Sequence, residues 1–538
     1  MTAREEENIE MSFISGAFIA FLGIGLVIYY LCPKRVQWVV LLGLSLVFYC
    51  WGGMTQLAYV LFTAVTIWGG AQILERMESA AKEELREKKA LLSAQEKKAL
   101  KAAVKRKKQY VFWGVLLVNL GILAVIKYYN FTAELILSAM GRGDADFRKV
   151  SFLVPLGISF YTFQAVSYLI DVYNGKYAAE KNPARFLLFV SFFPQVVQGP
   201  IGRYDKLGVQ LREEHAFAYR NLWRGVVLML WGYLMKLGIA DRLGRIVNEI
   251  FVGYEKYGGC IAMIGVLFYA VQLYMDFAGG INIVTGAAEM FGIHLAPNFK
   301  RPYFATSMGD FWHRWHISLG DWMRDYLFYP LAMSKPMMAL SKKLKKKSLY
   351  LSRTLPAVVG NIVVFFVVGV WHGAQMSYIV WGLYNGIVLA LSAVFAPAFK
   401  AFNAKYPKLT ASPGWHVFRV IRTFVVVCIG YYFDRAPTVI GALKMISRSI
   451  RYPMPYQFID GAWYELNPQR ELGIWMIGLM LIVFAVSLFQ ERMGSVRDWM
   501  EKKPAWVRWA LAYGLMFLLI ACAKVDVVDA EGFLYAAF

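Results

Sequence analysis

"FISGAFIAFLGIGLVIYYL" at residues 13–31 and "NIVVFFVVGV" at 361–370 decide the class of the fold. A helix of about 20 apolar residues crosses the hydrocarbon core of a bilayer. These runs are continuous rather than alternating, which argues against a transmembrane barrel. Comparable runs recur near 12–31, 36–53, 56–74, 110–129, 152–172, 184–200, 222–240, 259–295 (two spans), 355–372, 377–397, 416–433, 470–489 and 506–525. The expectation is an all-α integral membrane protein with about 11–13 helices, some short or re-entrant. The composition agrees: 58% of the 538 residues are hydrophobic and 17% are charged, against about 25% charged in soluble domains. The first span lacks a basic leader and a small-residue cleavage site, so it reads as retained rather than as a signal peptide.

A net charge of +22 raises nucleic acid as a partner, but the placement of the charges excludes it. Residues 75–109 carry twelve Lys or Arg between two apolar spans. Further basic groups follow at Lys34-Arg35, in "SKKLKKK" at 341–347, at Lys400, Lys405 and Lys408, and from Arg492 to Arg508. Counted by spans, all of these fall on one side, as the positive-inside rule requires of the cytoplasmic face. Both termini then lie outside the cytoplasm, and the charges serve orientation and attraction to anionic lipid. Segment 75–109, rich in Ala, Glu, Lys and Leu, reads as a solvated helix or helical hairpin. The five cysteines, Cys32, Cys50, Cys260, Cys428 and Cys522, lie in or beside apolar runs with no CxxC spacing. They read as packing residues.

Ionisable and amide side chains inside a membrane are costly, so each is a functional candidate. Four segments concentrate them besides "VWHGAQMSYIVWGLYNG" (370–386). "PLGISFYTFQAVSYLIDVYN" (155–174) sets Gln164 and Asp171 on one helical face. "FFPQVVQGPIGRY" (192–204) holds two prolines and two glutamines, one of them Gln198. Irregular backbone at that depth must be buried or line a cavity. "YMDFAGGIN" (274–282) carries Asp276 and Asn282 beside a glycine pair. "FWHRWHISLGDWMRDYLFYP" (311–330) is the most polar of all. Read as one amphipathic helix, it aligns Phe311, Trp315, Trp322, Tyr326 and Tyr329, with Ser307 as N-cap. Asp310 pairs with Arg314 and Asp321 with Arg324 along it. Three of the six histidines, His313, His316 and His372, lie in the two Trp-rich segments. No Cys or carboxylate set completes a tetrahedral metal site around them. Histidine is the side chain suited to take a proton from a hydroxyl near neutral pH. Asp171 and Asp276 read as structural partners of buried Arg or hydroxyl groups.

Together these segments resemble the membrane-bound O-acyltransferase family, in its bacterial branch of alginate O-acetylation and teichoic-acid D-alanylation proteins. The resemblance rests on residues 154–175, 192–204, 274–303, 311–331 and 367–386, in the family's order. The form of 311–331 is nearer the alginate type, although His313 stands where that type commonly has Arg. The resemblance implies tilted helices around a central tunnel and transfer of an acyl group, expected to be acetyl, from a cytoplasmic thioester to a hydroxyl. The product would be an O-acetylated extracytoplasmic polysaccharide. It places the family's histidine on His372, after Trp371, and a second polar position on His316. Around them Gln164, Gln198, Asn282, Asn385, Arg314 and His313 are candidates for substrate contact. No bound cofactor is expected. The co-substrate would be an acyl thioester, acetyl-CoA or an acyl-carrier protein, and the partner an extracytoplasmic SGNH or esterase-like transferase. The expected organisation is a disordered extension at 1–11, N-terminal membrane helices at 12–149, the catalytic core at 150–400 and C-terminal helices at 401–538. Two rivals remain: a carrier-protein-dependent D-alanylation enzyme, and a non-catalytic polysaccharide or lipid transporter. Internal repeats, the mark of many transporters, are not evident.

Overall fold

Without water to bond them, backbone amides and carbonyls in hydrocarbon must pair within their own segment, which a helix achieves. The computed structural model describes residues 12–88, 91–141, 147–466, 470–525 and 533, and among these it contains helices and no strand. The proposed extension at 1–11 and the two chain ends lie outside the described residues. Among the described residues, nine helices are long and apolar enough to cross a membrane, including Met54–Glu87, Gly259–Met290, Leu349–His372, Met376–Val394 and Pro413–Arg435. Other expected spans fold as shorter helices, Gly16–Leu31, Gln37–Trp51 and Ile158–Tyr173. At 1.5 Å per residue these are short of a full hydrocarbon core.

The chain packs as two units, residues 1–226 with 284–296, and residues 227–283 with 297–538. In the first unit, segment 75–109 forms the two arms of a helical hairpin. The helix Met54–Glu87 ends the first arm, and Ala94–Ala139 begins the second behind a Ser93/Glu96 capping box. Glu78 and Lys108 join the arms at 2.9 Å. Gly157 opens the helix Ile158–Tyr173 with φ +72, and a Cβ there would sit 2.0 Å from the Val196 carbonyl oxygen. That approach lets the helix brace the proline-broken segment 192–204. Gln164 donates to the Phe189 carbonyl and accepts from the Gln195 amide and the Gly202 N–H. Its polar atoms are thus spent on a backbone that helical bonding cannot satisfy.

Two readings are corrected along the segment 259–295. Residues 259–295, expected as two spans, contain one 32-residue helix, Gly259–Met290. The Gly279-Gly280 pair lies within this helix, and at Gly279 it permits close packing: a Cβ would lie 2.9 Å from the Gly232 carbonyl oxygen. Asp276, assigned to an Arg or hydroxyl partner, instead meets Lys236 at 2.6 Å, and Asp241 meets the same ammonium at 2.7 Å. Lys236 is 1% exposed. Asp171, in the first unit, likewise pairs with lysine, Lys176 at 3.0 Å, and with the Tyr177 hydroxyl.

The helices Leu349–His372 and Met376–Val394 form a tight hairpin with three residues between them. A Cβ at Gly369 would fall 2.5 Å from the Tyr378 carbonyl oxygen, and one at Gly382 would fall 2.3 Å from that of Phe365. Both contacts are with backbone, which cannot swing aside. Gly382→Ala is therefore expected to cost about 1–3 kcal/mol of stability from overpacking and to lower activity by displacing His372 from Trp381. Thermal unfolding of the purified protein, followed with activity, checks this; an unchanged melting temperature would count against the close approach.

Candidate active site

The segment 311–330 is not one helix. Ser307 caps Met308–Arg314 through the Asp310 N–H, as its sequence suggests, but the helix stops at Trp315 and a second runs Ile317–Met323. Between them His316 adopts φ 47, ψ 52, the left-handed region that a residue with a side chain rarely enters. Asn298 holds it there. The Asn298 carbonyl accepts from the Ile317 N–H at 2.9 Å. Its side-chain Oδ1 accepts from the Ser318 N–H at 3.1 Å, the Ser318 hydroxyl at 2.9 Å and His316 Nδ1 at 3.2 Å. An amide oxygen can only accept, so His316 carries its proton on Nδ1 and presents Nε2 as the basic nitrogen. His316 is 2% exposed and lies outside the nine candidate spans. Burial, and after it the neighbouring His372, push its pKa well below the ordinary histidine range. It is a neutral imidazole at physiological pH.

His372 is the last residue of its helix and is 4% exposed. Its ring packs on Trp381 at 4.6 Å between centroids, on Trp371 at 5.3 Å and on Tyr378 at 6.1 Å. Trp371 also packs on His316, at 6.0 Å, so one indole joins the two imidazoles. Phe277 packs edge-to-face on His316 at 4.8 Å. Trp312, from the helix before the break, meets both Trp381 at 5.9 Å and Phe365 at 4.7 Å. The break at His316 therefore turns one aromatic helix into two, which places Trp312 on the His372 hairpin and His316 beside Trp371. Asn385 is buried, donates to the Trp381 carbonyl at 2.9 Å and shares a cavity with His372.

The remaining sequence candidates are placed elsewhere. His313 is exposed and donates from Nδ1 to the Gly309 carbonyl, one turn back, at 2.6 Å. Arg314 is committed to Asp310 at 2.8 Å and Glu491 at 2.9 Å. Asn282 donates to the Met235 sulfur at 3.4 Å. Gln164 and Gln198 belong to the first unit, where Gln164 braces the broken backbone. Among the described residues no group of three His, Cys, Asp or Glu could hold a metal. Asn298 was missed in sequence, although it lies within the segment 274–303; a small amide directly after Pro297 is an ordinary turn signal and gives no hint of a distant histidine.

The second unit also contains a cavity of about 640 Å³, within the usual size of small-molecule sites. Val227, Trp231, Leu511 and Leu515 give it apolar walls, and Lys300, Arg301 and Arg497 give it cationic groups. Lys300 is tied to the active segment, because its N–H donates to the Arg314 carbonyl at 2.9 Å.

A buried imidazole pair enclosed by aromatic rings can take a proton from a hydroxyl without competition from bulk water. Comparison with known proteins points the same way. The model of the membrane-bound O-acyltransferase family matches residues 178–433. A probable alginate O-acetylase of Pseudomonas syringae pathovar tomato is 31% identical over 92% of this chain and 83% of its own length. A peptidoglycan O-acetyltransferase of Helicobacter pylori is 30% identical over 62% of this chain and 63% of its own. A teichoic acid D-alanyltransferase of Bacillus subtilis is 30% identical over 61% and 78%.

Proposed function

The chain belongs to the membrane-bound O-acyltransferase family, and as an O-acyltransferase we propose that it uses His372 as the general base of acyl transfer. It is a multi-pass membrane enzyme that serves O-acetylation of an extracytoplasmic polysaccharide. The observation that carries the mechanism is the convergence of His316 and His372 on one indole, Trp371. His372 removes the proton of the acceptor hydroxyl as its oxygen attacks the thioester carbonyl. The carbon–sulfur bond then breaks, and the proton passes from the imidazolium to the departing thiolate. His316, neutral and fixed by Asn298, orients the acyl carbonyl or the acceptor. Asn385 offers an amide donor beside the charge that develops on oxygen, the kind of preorganised dipole that stabilises such a state.

We propose acetyl-CoA as the donor, entering from the cytoplasmic side set by the basic segments, with the acceptor arriving through a tunnel from the other side of the membrane. The cationic and apolar lining of the 640 Å³ cavity supports a donor that joins anionic phosphates to a thin, flexible arm. A separate esterase-like transferase outside the cytoplasm completes the transfer to polymer. The reading that competes is D-alanylation from an acyl-carrier protein, favoured by the likeness to the Bacillus subtilis D-alanyltransferase. The alginate O-acetylase likeness extends over more of the chain, which favours acetyl. In purified proteoliposomes, acetyl-CoA is expected to drive acceptor acetylation and D-alanyl carrier protein to give none. The reverse outcome would replace the donor and leave the histidine site standing. Movement of glycan without thiol release would instead support a transporter.

A further inference from the structure

A cavity of about 10 Å³, the size of one water, adjoins His372 and is lined by Trp312, Asn385, Tyr431 and Asp434 as well. Asp434 stands near the end of the helix Pro413–Arg435 and is 7% exposed. One carboxylate oxygen, Oδ2, accepts from the Tyr269 hydroxyl at 2.8 Å. The other, Oδ1, is buried with no hydrogen-bond partner among the described residues, and the same holds for the indole N–H of Trp312. A buried carboxylate oxygen and a buried donor each cost free energy unless something bonds them. Both border the space that also touches the proposed base. One water there satisfies both groups and reaches the imidazole, since an ordered internal water makes about three hydrogen bonds.

We propose that Asp434 is a positioning residue for His372: through one bridging water it holds the ring and stabilises the positive charge that the ring gains during transfer. The inference rests on His372 being the base. The proton that His372 accepts comes from the acceptor hydroxyl and leaves with the thiol, and Asp434 takes no part in its transfer. The groups facing Asp434 are Tyr269, Tyr303, Tyr378 and Tyr431, together with Arg435 on its own helix. Arg435 is engaged by Asn248 at 3.0 Å. His372 is faced by His316 and Tyr378.

The test compares wild type, Asp434→Asn, Tyr269→Phe and His372→Ala in proteoliposomes, with acetyl-CoA as donor. Asp434→Asn keeps the shape and the Tyr269 bond but removes the charge. It is expected to lower kcat about tenfold or more, with the donor KM unchanged. A carboxylate favours imidazolium, so losing it lowers the pKa of His372. The acid limb of the kcat/KM profile, where the base must be neutral, then moves to lower pH by about one unit. Tyr269→Phe weakens the hold on the carboxylate and should shift the limb in the same direction by less, which keeps the test open if Asp434→Asn does not fold. An inactive His372→Ala beside an unmoved acid limb in both other variants overturns this role for Asp434 alone. An active His372→Ala removes the base assignment, and this inference with it.

Discussion

His372→Ala is expected to retain its fold and lose acyl transfer by about 10²–10⁴-fold, the usual worth of a positioned general base. The fold should survive because the ring is held by aromatic contacts with Trp371, Tyr378 and Trp381. The cavity left by truncation costs about 2–4 kcal/mol by analogy with other large-to-small core changes, in a helix hairpin already locked by Gly369 and Gly382. The loss should fall on kcat rather than on the donor KM, because the imidazole acts on the moving proton and not on the thioester's anionic end. Extraction yield and a monodisperse elution profile would establish folding, and thiol release with acceptor acetylation would report catalysis. Wild-type acetylation by a folded His372→Ala protein would assign the chemistry elsewhere.

Lys236→Met should have the largest effect on stability. The ammonium is 1% exposed and lies between Asp241 at 2.7 Å and Asp276 at 2.6 Å. A buried ion set is not intrinsically stabilising, because desolvation consumes most of the attraction. Removing one member is a different matter: two carboxylates are left close together, buried and without their shared cation. Breaking such a set costs about 3–5 kcal/mol, a large part of what holds a typical domain together. Folded yield should collapse for Lys236→Met, whereas the triple change Lys236→Met, Asp241→Asn, Asp276→Asn should recover most of it. A single substitution that extracts and melts like wild type would contradict this account of the triad.

Much of this was legible in the residues themselves. Continuous apolar runs fix the class, because only a helix satisfies its own backbone in hydrocarbon. The Ser307 cap and the Asp310–Arg314 and Asp321–Arg324 pairs follow from spacing, and all three are present. The two histidines proposed for the reaction stand out because imidazole is rare in so apolar a chain, with six histidines in 538 residues. The break at His316 was not legible: the aromatic spacing of three and four continues across it, and the left-handed turn is imposed from Asn298, 18 residues earlier. Helical periodicity reports one face of one helix and carries no information about a clamp from another segment. Lys236 was overlooked because a single cation inside "WGYLMKLGIA" reads as tolerated noise until two carboxylates, 5 and 40 residues away, are seen around it. Among the glutamines offered for substrate contact, Gln164 has other partners. Gln164 is consumed by the irregular backbone at 192–204, and sequence cannot tell an amide that contacts substrate from one that mends a broken helix.

His316 and His372 are proposed to form one reaction centre, and a double-mutant cycle on kcat tests that most directly. With His316→Ala, His372→Ala and the double variant purified alongside wild type, residues acting as a unit should give a double variant within a few-fold of His372→Ala alone. Losses that multiply, or a His316→Ala enzyme with wild-type kcat, would show that the two imidazoles beside Trp371 do not work together.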